Sequence, residues 1–187
     1  RTLVEQAREL STMVSNLLDM ARLQSGSVNL RLEWGSLEEV VGSALRSLEG
    51  TLPPANVQVR VPPDLPLVEF DAALVERVLV NLLENAAKYG APPVEIAAAA
   101  PEHSLVITVR DHGAGLPASL KGREQMLFEK FTRGQPESAT RGVGLGLAIC
   151  KAVVDAHKGQ IEAANADGGG AVFTVTLPRR APPLLPA

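Results

Sequence analysis

The chain has 187 residues, 45% of them apolar and 21% charged, with 18 lysines and arginines against 21 acids and a net charge of −3. That length holds one domain with a real core, or a domain plus an appendage, and the composition excludes a disordered chain, a collagen-like repeat and a strongly basic nucleic-acid binder. The single cysteine, Cys150, excludes a disulfide framework and a multi-thiolate zinc site, and no uncharged apolar run reaches the roughly 18 residues of a membrane-spanning helix.

Leu3, Ala7, Leu10, Val14, Leu17 and Ala21 form a heptad seam that predicts one helix over 3–24, stopped by Gly26. Met13, Leu18 and Met20 widen its apolar surface, so the helix asks for partner helices, as in a four-helix dimerisation bundle. Val28 to Trp34 alternates like an edge strand. Ser36 and Glu39 read as a capping box, opening a helix whose Leu37, Val40, Val41, Ala44, Leu45 and Leu48 face a core. Short strands are expected at 57–61 and 67–70, split by the turn Pro62-Pro63-Asp64. Asp71 caps a long helix running to Tyr89 and ended by Gly90. A strand pair is expected at 94–100 and 105–110, a helix at 144–157, and a closing hairpin of 161–164 and 171–177 across Asp167-Gly168-Gly169-Gly170. Residues 179–187 read as a disordered proline-rich tail. Between these elements, 111–142 is a polar stretch of a length usually found in lids and binding loops.

Three patterns carry chemistry. On the long helix, Asn81, Asn85 and Lys88 share one stripe at the border of the apolar face. Asparagine is a poor helix-interior residue, so two on one stripe point to a site as readily as to a solvated face. Asp111-His112-Gly113-Ala114-Gly115 follows a strand; a carboxylate there can accept from an exocyclic amine such as adenine's, and the glycines permit a tight turn against a planar ligand. Gly142-Val143-Gly144-Leu145-Gly146-Leu147 opens a helix, where free amides and the positive dipole end suit phosphate. It is neither a Walker A loop nor a good dinucleotide fingerprint. Between the glycine motifs the loop carries Phe128-Glu129-Lys130-Phe131 and Arg133. From Pro117 to Arg141 it has five bases against three acids, which suits a cationic lid over a polyanion, with Phe128 and Phe131 anchoring it to apolar surface.

In this order the motifs resemble the N, G1, F and G2 boxes of the sensor histidine kinases, members of the superfamily shared with gyrase, Hsp90 and MutL. Asn81 to Tyr89 is similar to the N box and Gly142 to Leu147 to the G2 box. Leu18 to Gly26 resembles the end of the second helix of the family's dimerisation and phosphotransfer domain, and its wording, with Glu33-Trp34 and Leu37 to Leu45, is most similar to potassium-sensing members. The resemblance implies a mixed, mostly antiparallel α/β two-layer sandwich with about three helices on one face, preceded by one bundle helix. It divides the chain into 1–26 (bundle helix), 27–178 (ATP-binding domain) and 179–187 (tail).

The resemblance also implies roles. Asp111 binds the adenine amino group, with Gly113 and Gly115 as pocket wall. Asn85 holds the Mg²⁺ that bridges the phosphates, with Asn81 beside it. Lys88 and Tyr89 reach the phosphate chain, and Arg133 meets the γ-phosphate as the lid closes. Gly142, Gly144, Leu145 and Gly146 line the phosphate site, and Thr174 helps hold adenine through water. Hydrolysing relatives carry a general-base Glu where this chain has Asn81, so the expectation is phosphoryl transfer to a protein histidine with little ATP hydrolysis, Glu84 standing as the candidate for proton handling.

None of His103, His112 and His157 fits the family's phosphoacceptor signature. The acceptor helix is therefore expected upstream of Arg1, and this piece is expected to bind ATP without phosphorylating itself. The implied partners are that helix, a second protomer through 3–24 and a response regulator, with no nucleic acid and no insertion of this piece into the membrane. The implied setting is the cytoplasmic part of a bacterial inner-membrane kinase. Two other readings remain: a non-enzymatic nucleotide-binding or dimerisation module, and a superfamily ATPase.

Overall fold

The computed structural model describes residues 29–129 and 145–180, together with nine positions between 3 and 21. Those nine, Leu3, Val4, Ala7, Leu10, Ser11, Val14, Ser15, Leu18 and Ala21, have helical backbone (α1). All are exposed, Leu3 at 84% and Leu10 at 60%, so the described part of the heptad seam finds no cover within this chain. Ser15 Oγ meets the guanidinium of Arg77 at 3.5 Å.

Strand β1 (Glu33–Gly35) pairs antiparallel with β3 (Val68–Phe70) as a two-stranded ribbon. The edge strand expected from Val28 is thus shortened. The Arg31 N–H goes to the Asp71 carboxylate at 2.9 Å instead of a ladder partner. Helix α2 (Leu37–Ser47) buries Leu37, Val40, Val41 and Ala44, as its periodicity predicts. The expected capping box does not form: Ser36 has extended N-cap backbone but makes no side-chain cap bond. Burial of the apolar face, which contributes more than capping to most protein helices, suffices to hold the first turn.

The main sheet has the order β2-β4-β5-β7-β6, from β2 (Val57–Arg60), β4 (Val94–Ala99), β5 (Ser104–Arg110), β7 (Ala171–Pro178) and β6 (Gln160–Asn165). Only the β2–β4 pairing is parallel. The period of two is clear in burial: Val94 and Ile96, Leu105, Ile107 and Val109, and Phe173, Val175 and Leu177 turn to one face. On that face lie α2, α3 (Ala72–Tyr89) and α4 (Gly146–Ala156), closing a single core. The expected mixed, mostly antiparallel sheet with three helices on one face is what the chain adopts.

Asp71 caps α3 as expected, its Oδ1 accepting from the Leu74 N–H at 3.1 Å. Gly90 ends the helix, but with φ −94° and ψ −166° it is extended, not left-handed. A Cβ at this position would lie 2.5 Å from the Cβ of Asp111. Glycine is therefore required by close approach rather than by the turn.

Candidate functional site

Three pieces of backbone converge: the end of β5, the C-terminal half of α3 and the start of α4. Asp111 is buried, its position fixed by the rung it shares with β7. Its N–H donates to the Ala171 carbonyl at 3.0 Å, and its Oδ1 accepts from the N–H groups of Ala171 at 3.3 Å and Gly113 at 2.8 Å. Both protein bonds to the carboxylate thus fall on Oδ1. Because a Cβ on Gly90 would strike Asp111, the carboxylate lies on the helix side of the sheet, beside the end of α3.

The glycines of the Asp111 loop make a tight turn, and packing adds a second reason for glycine at both positions. A Cβ on Gly113 would lie 2.7 Å from the Cα of Gly90, and one on Gly115 would lie 2.5 Å from Oδ1 of Asn165. At both positions the space that a side chain would take is therefore filled by protein. Gly115 also has φ +81°, which a side chain rarely tolerates.

On α3, Asn81 is 4% exposed and Asn85 is half-buried, while Lys88 and Tyr89 are exposed. The Nδ2 of Asn81 is buried without a well-formed hydrogen bond, with only the Cys150 sulfur beside it. A Cβ on Gly146 would lie 3.5 Å from the Asn81 Oδ1, so the asparagine stripe runs under the first turn of α4. Glu84 is half-buried on the same helix. The loop begins in two 3-10 turns, Ala118–Leu120 and Glu124–Phe128. Phe128 is buried edge-on against Phe173, with centroids 6.4 Å apart and planes at 87°, and so anchors the loop to the core as expected. The Gly122 N–H donates to Glu124 at 2.8 Å and, with Glu124's own backbone amide, holds that exposed carboxyl below the usual carboxylate range. Leu145 is buried just ahead of α4. Phe131, Arg133, Gly142 and Gly144 lie outside the described residues.

Thr174 is not brought to the pocket. Phe173 and Val175 point into the core, so Thr174 lies on the opposite face of the sheet from the helices and Asp111. Asn165 was missed by sequence reasoning. Its carbonyl oxygen accepts the Leu116 N–H at 2.6 Å, yet in sequence it is only a polar residue ahead of a glycine-rich turn.

The donor set fits a magnesium nucleotide. A buried carboxylate oriented through one oxygen suits an amine-bearing base. A poorly paired buried amide beside a helix N-terminus suits a phosphate oxygen. The oxygen of the half-buried Asn85 is a hard ligand of the kind Mg²⁺ takes. Among the described residues no group of three or more acids, histidines or cysteines could hold a metal, so the cation would be shared with phosphate.

Comparison with known proteins gives a consistent answer. The family described as histidine kinase-, DNA gyrase B-, and HSP90-like ATPase matches residues 70–181. Sensor protein KdpD of Escherichia coli (strain K12) is 53% identical over 176 residues, covering 92% of this chain and 19% of that protein. The chain therefore spans about a fifth of that relative's length. Among solved structures, the Acinetobacter baumannii histidine kinase AdeS superposes with TM-score 0.77 at 25% identity, over 96% of this chain and 83% of that one. Full-length ShkA in complex with AMPPNP shares the fold, with TM-score 0.77 at 24% identity, over 95% of this chain and 37% of that one.

Proposed function

This chain belongs to the histidine kinase-, DNA gyrase B- and HSP90-like ATPase family, as the ATPase domain of a sensor histidine kinase, and on that footing we propose that it binds Mg-ATP and passes the γ-phosphoryl group to a histidine of a dimerisation domain. The observation that carries this reading is the Asp111 carboxylate: buried, held through Oδ1, and set beside the asparagine face of α3. Oδ2 then accepts from the adenine amine. Asn85 would hold Mg²⁺, which would supply neutralisation of phosphate charge. The Asn81 Nδ2 and the first turn of α4 take phosphate oxygens. Lys88 and Tyr89, exposed at the end of α3, reach the phosphate chain.

The acceptor histidine is not one of those described: His103 is exposed but is followed by Ser104 and lacks the signature's proline. His157 is buried with both ring nitrogens engaged, and His112 is engaged by the Pro93 carbonyl and Glu95. Residues 1–26 serve as one helix of the dimerisation and phosphotransfer bundle, and the exposed Leu3, Leu10 and Val14 meet partner helices there. Residues 27–178 form the ATP-binding domain. The phosphoryl group then goes to a response regulator, in potassium or osmotic signalling, from the cytoplasmic part of an inner-membrane kinase. Among the described residues no helix is long and apolar enough to cross a membrane.

Asp111→Asn tests the pocket, because it keeps the Oδ1 acceptor that Ala171 and Gly113 use and turns the other position into a donor facing the base. Calorimetry should show Mg-ATP binding by the native chain and none by the variant, with the fold intact. Retained affinity would overturn the assignment. Addition of a separate acceptor-helix bundle and labelled ATP tests the transfer itself, which should place phosphate on histidine.

A further inference from the structure

We infer that Asn165 is a positioning residue of the nucleotide pocket, the clasp that holds the wall from Gly113 to Leu116 against the β6–β7 hairpin. The inference rests on the nucleotide-binding reading above.

Asn165 closes β6 and faces Ala171 across one rung of the ladder. That rung pins the loop at both ends. Ala171 donates to Asp111 Oδ1 at 3.3 Å and accepts from the Asp111 N–H at 3.0 Å, while Asn165 Oδ1 accepts from the Leu116 N–H at 2.6 Å. The two residues have shaped themselves to each other's space: Gly115, at φ +81°, has no side chain where the Asn165 amide sits.

The hairpin that carries Asn165 is itself fixed. The Ala166 N–H donates to the Gly170 carbonyl at 2.9 Å, and the Arg110 guanidinium donates to the Asp167 carbonyl at 2.9 Å. Gly170 packs so closely on the Asp111 carbonyl that any side chain there would collide with it. Asn165 is thus an exposed side chain held by rigid backbone, with its oxygen engaged by the loop that walls the base. A solvated residue at a strand end needs none of this. Preorganising a loop in its bound shape raises affinity by removing the ordering that binding would otherwise require.

The test compares Asn165→Leu, which keeps the side-chain size and loses the acceptor, with Asn165→Asp, which keeps an acceptor. Titrations of the 187-residue chain with ADP and GDP read the effect. Asn165→Leu should raise the ADP dissociation constant roughly 5- to 20-fold and erode the preference for ADP over GDP, while Asn165→Asp stays within about 2-fold of native. The binding stoichiometry should remain at one, because a purely structural loss would reduce the binding-competent fraction and leave affinity and base preference alone. Native affinity and native preference in Asn165→Leu would overturn the inference and leave the nucleotide reading standing. Absence of ADP binding by the native chain would overturn both. If Asn165→Leu does not fold, amide exchange in the native chain decides: the Leu116 N–H should be protected and gain protection with ADP, and exchange at open-loop rates would overturn the inference.

Discussion

The Nε2 of His157 accepts the backbone N–H of Asp71 at 3.1 Å, joining the end of α4 to the start of α3 across 86 residues of sequence. The Nδ1 faces the Val153 carbonyl at 2.8 Å and must carry the ring proton, which leaves the Nε2 lone pair for Asp71. Asp71 in turn takes the Leu74 and Arg31 N–H groups on its carboxylate, so one histidine supports the whole entry to α3. His157→Ala strands a buried N–H and should cost about 1–3 kcal/mol of stability, read from urea unfolding. A loss under about 0.5 kcal/mol would show that water replaces the ring at no cost. Nucleotide affinity of the folded variant should be native, since His157 lies at the opposite end of α4 from the pocket.

Asn81 carries the opposite expectation. Its buried Nδ2 makes no well-formed hydrogen bond and has only the Cys150 sulfur, a weak acceptor, beside it, so the folded chain bears most of that cost without ligand. Asn81→Leu keeps the shape and removes the poorly paired amide, so stability should hold or rise by up to about 1 kcal/mol, while Mg-ADP affinity falls. Lost stability with native affinity would make Asn81 a packing residue. The amide also cannot take a proton from water, so phosphate release from ATP should stay at background; sustained turnover would favour an ATPase instead.

For Asn85, the expected signature is in the cation rather than the base. Asn85→Ala should bind ADP equally with Mg²⁺ and with a chelator, whereas the native chain should lose affinity on chelation. A variant that keeps the native magnesium dependence would move the metal to another ligand.

Periodicity made the core legible. The apolar positions of α2 and α3 and the alternating residues of β5 and β7 are buried where spacing placed them. Local devices were less legible, because their partners are distant in sequence. The Ser36 capping box is absent, and β1 shrinks to three residues because Asp71, 40 positions away, captures the Arg31 N–H. The candidate site shows the same division. Asp111 and the asparagine stripe stand out as residue types in unusual places. Gly90 reads as a helix stop and is one, but the close approach of Asp111 that requires glycine there has no local signal, and Asn165 gives no signal at all, since its role exists only once Leu116 is folded against it.

Cys150 supplies a pH dependence with a definite sign. Burial on α4 against α3 pushes its thiol from 9.0 up to about 12, with the neighbouring Asn81 amide and Arg77 guanidinium opposing only part of that rise. Above pH 9 the unfolded chain releases the thiol proton while the folded chain keeps it, so the unfolded state binds fewer protons. The contribution to stability is therefore complete below pH 9.0 and is lost progressively as pH rises toward about 12. The urea midpoint of the native chain should fall between pH 8 and pH 10 by more than that of Cys150→Ala, and the difference isolates this thiol because all other groups titrate in both. The neutral buried thiol should also resist alkylation at pH 8 until the chain unfolds. Rapid labelling of the folded chain, or equal midpoint shifts in the two proteins, would place Cys150 in contact with water and open the packing between α3 and α4 on which the position of Asn81 depends.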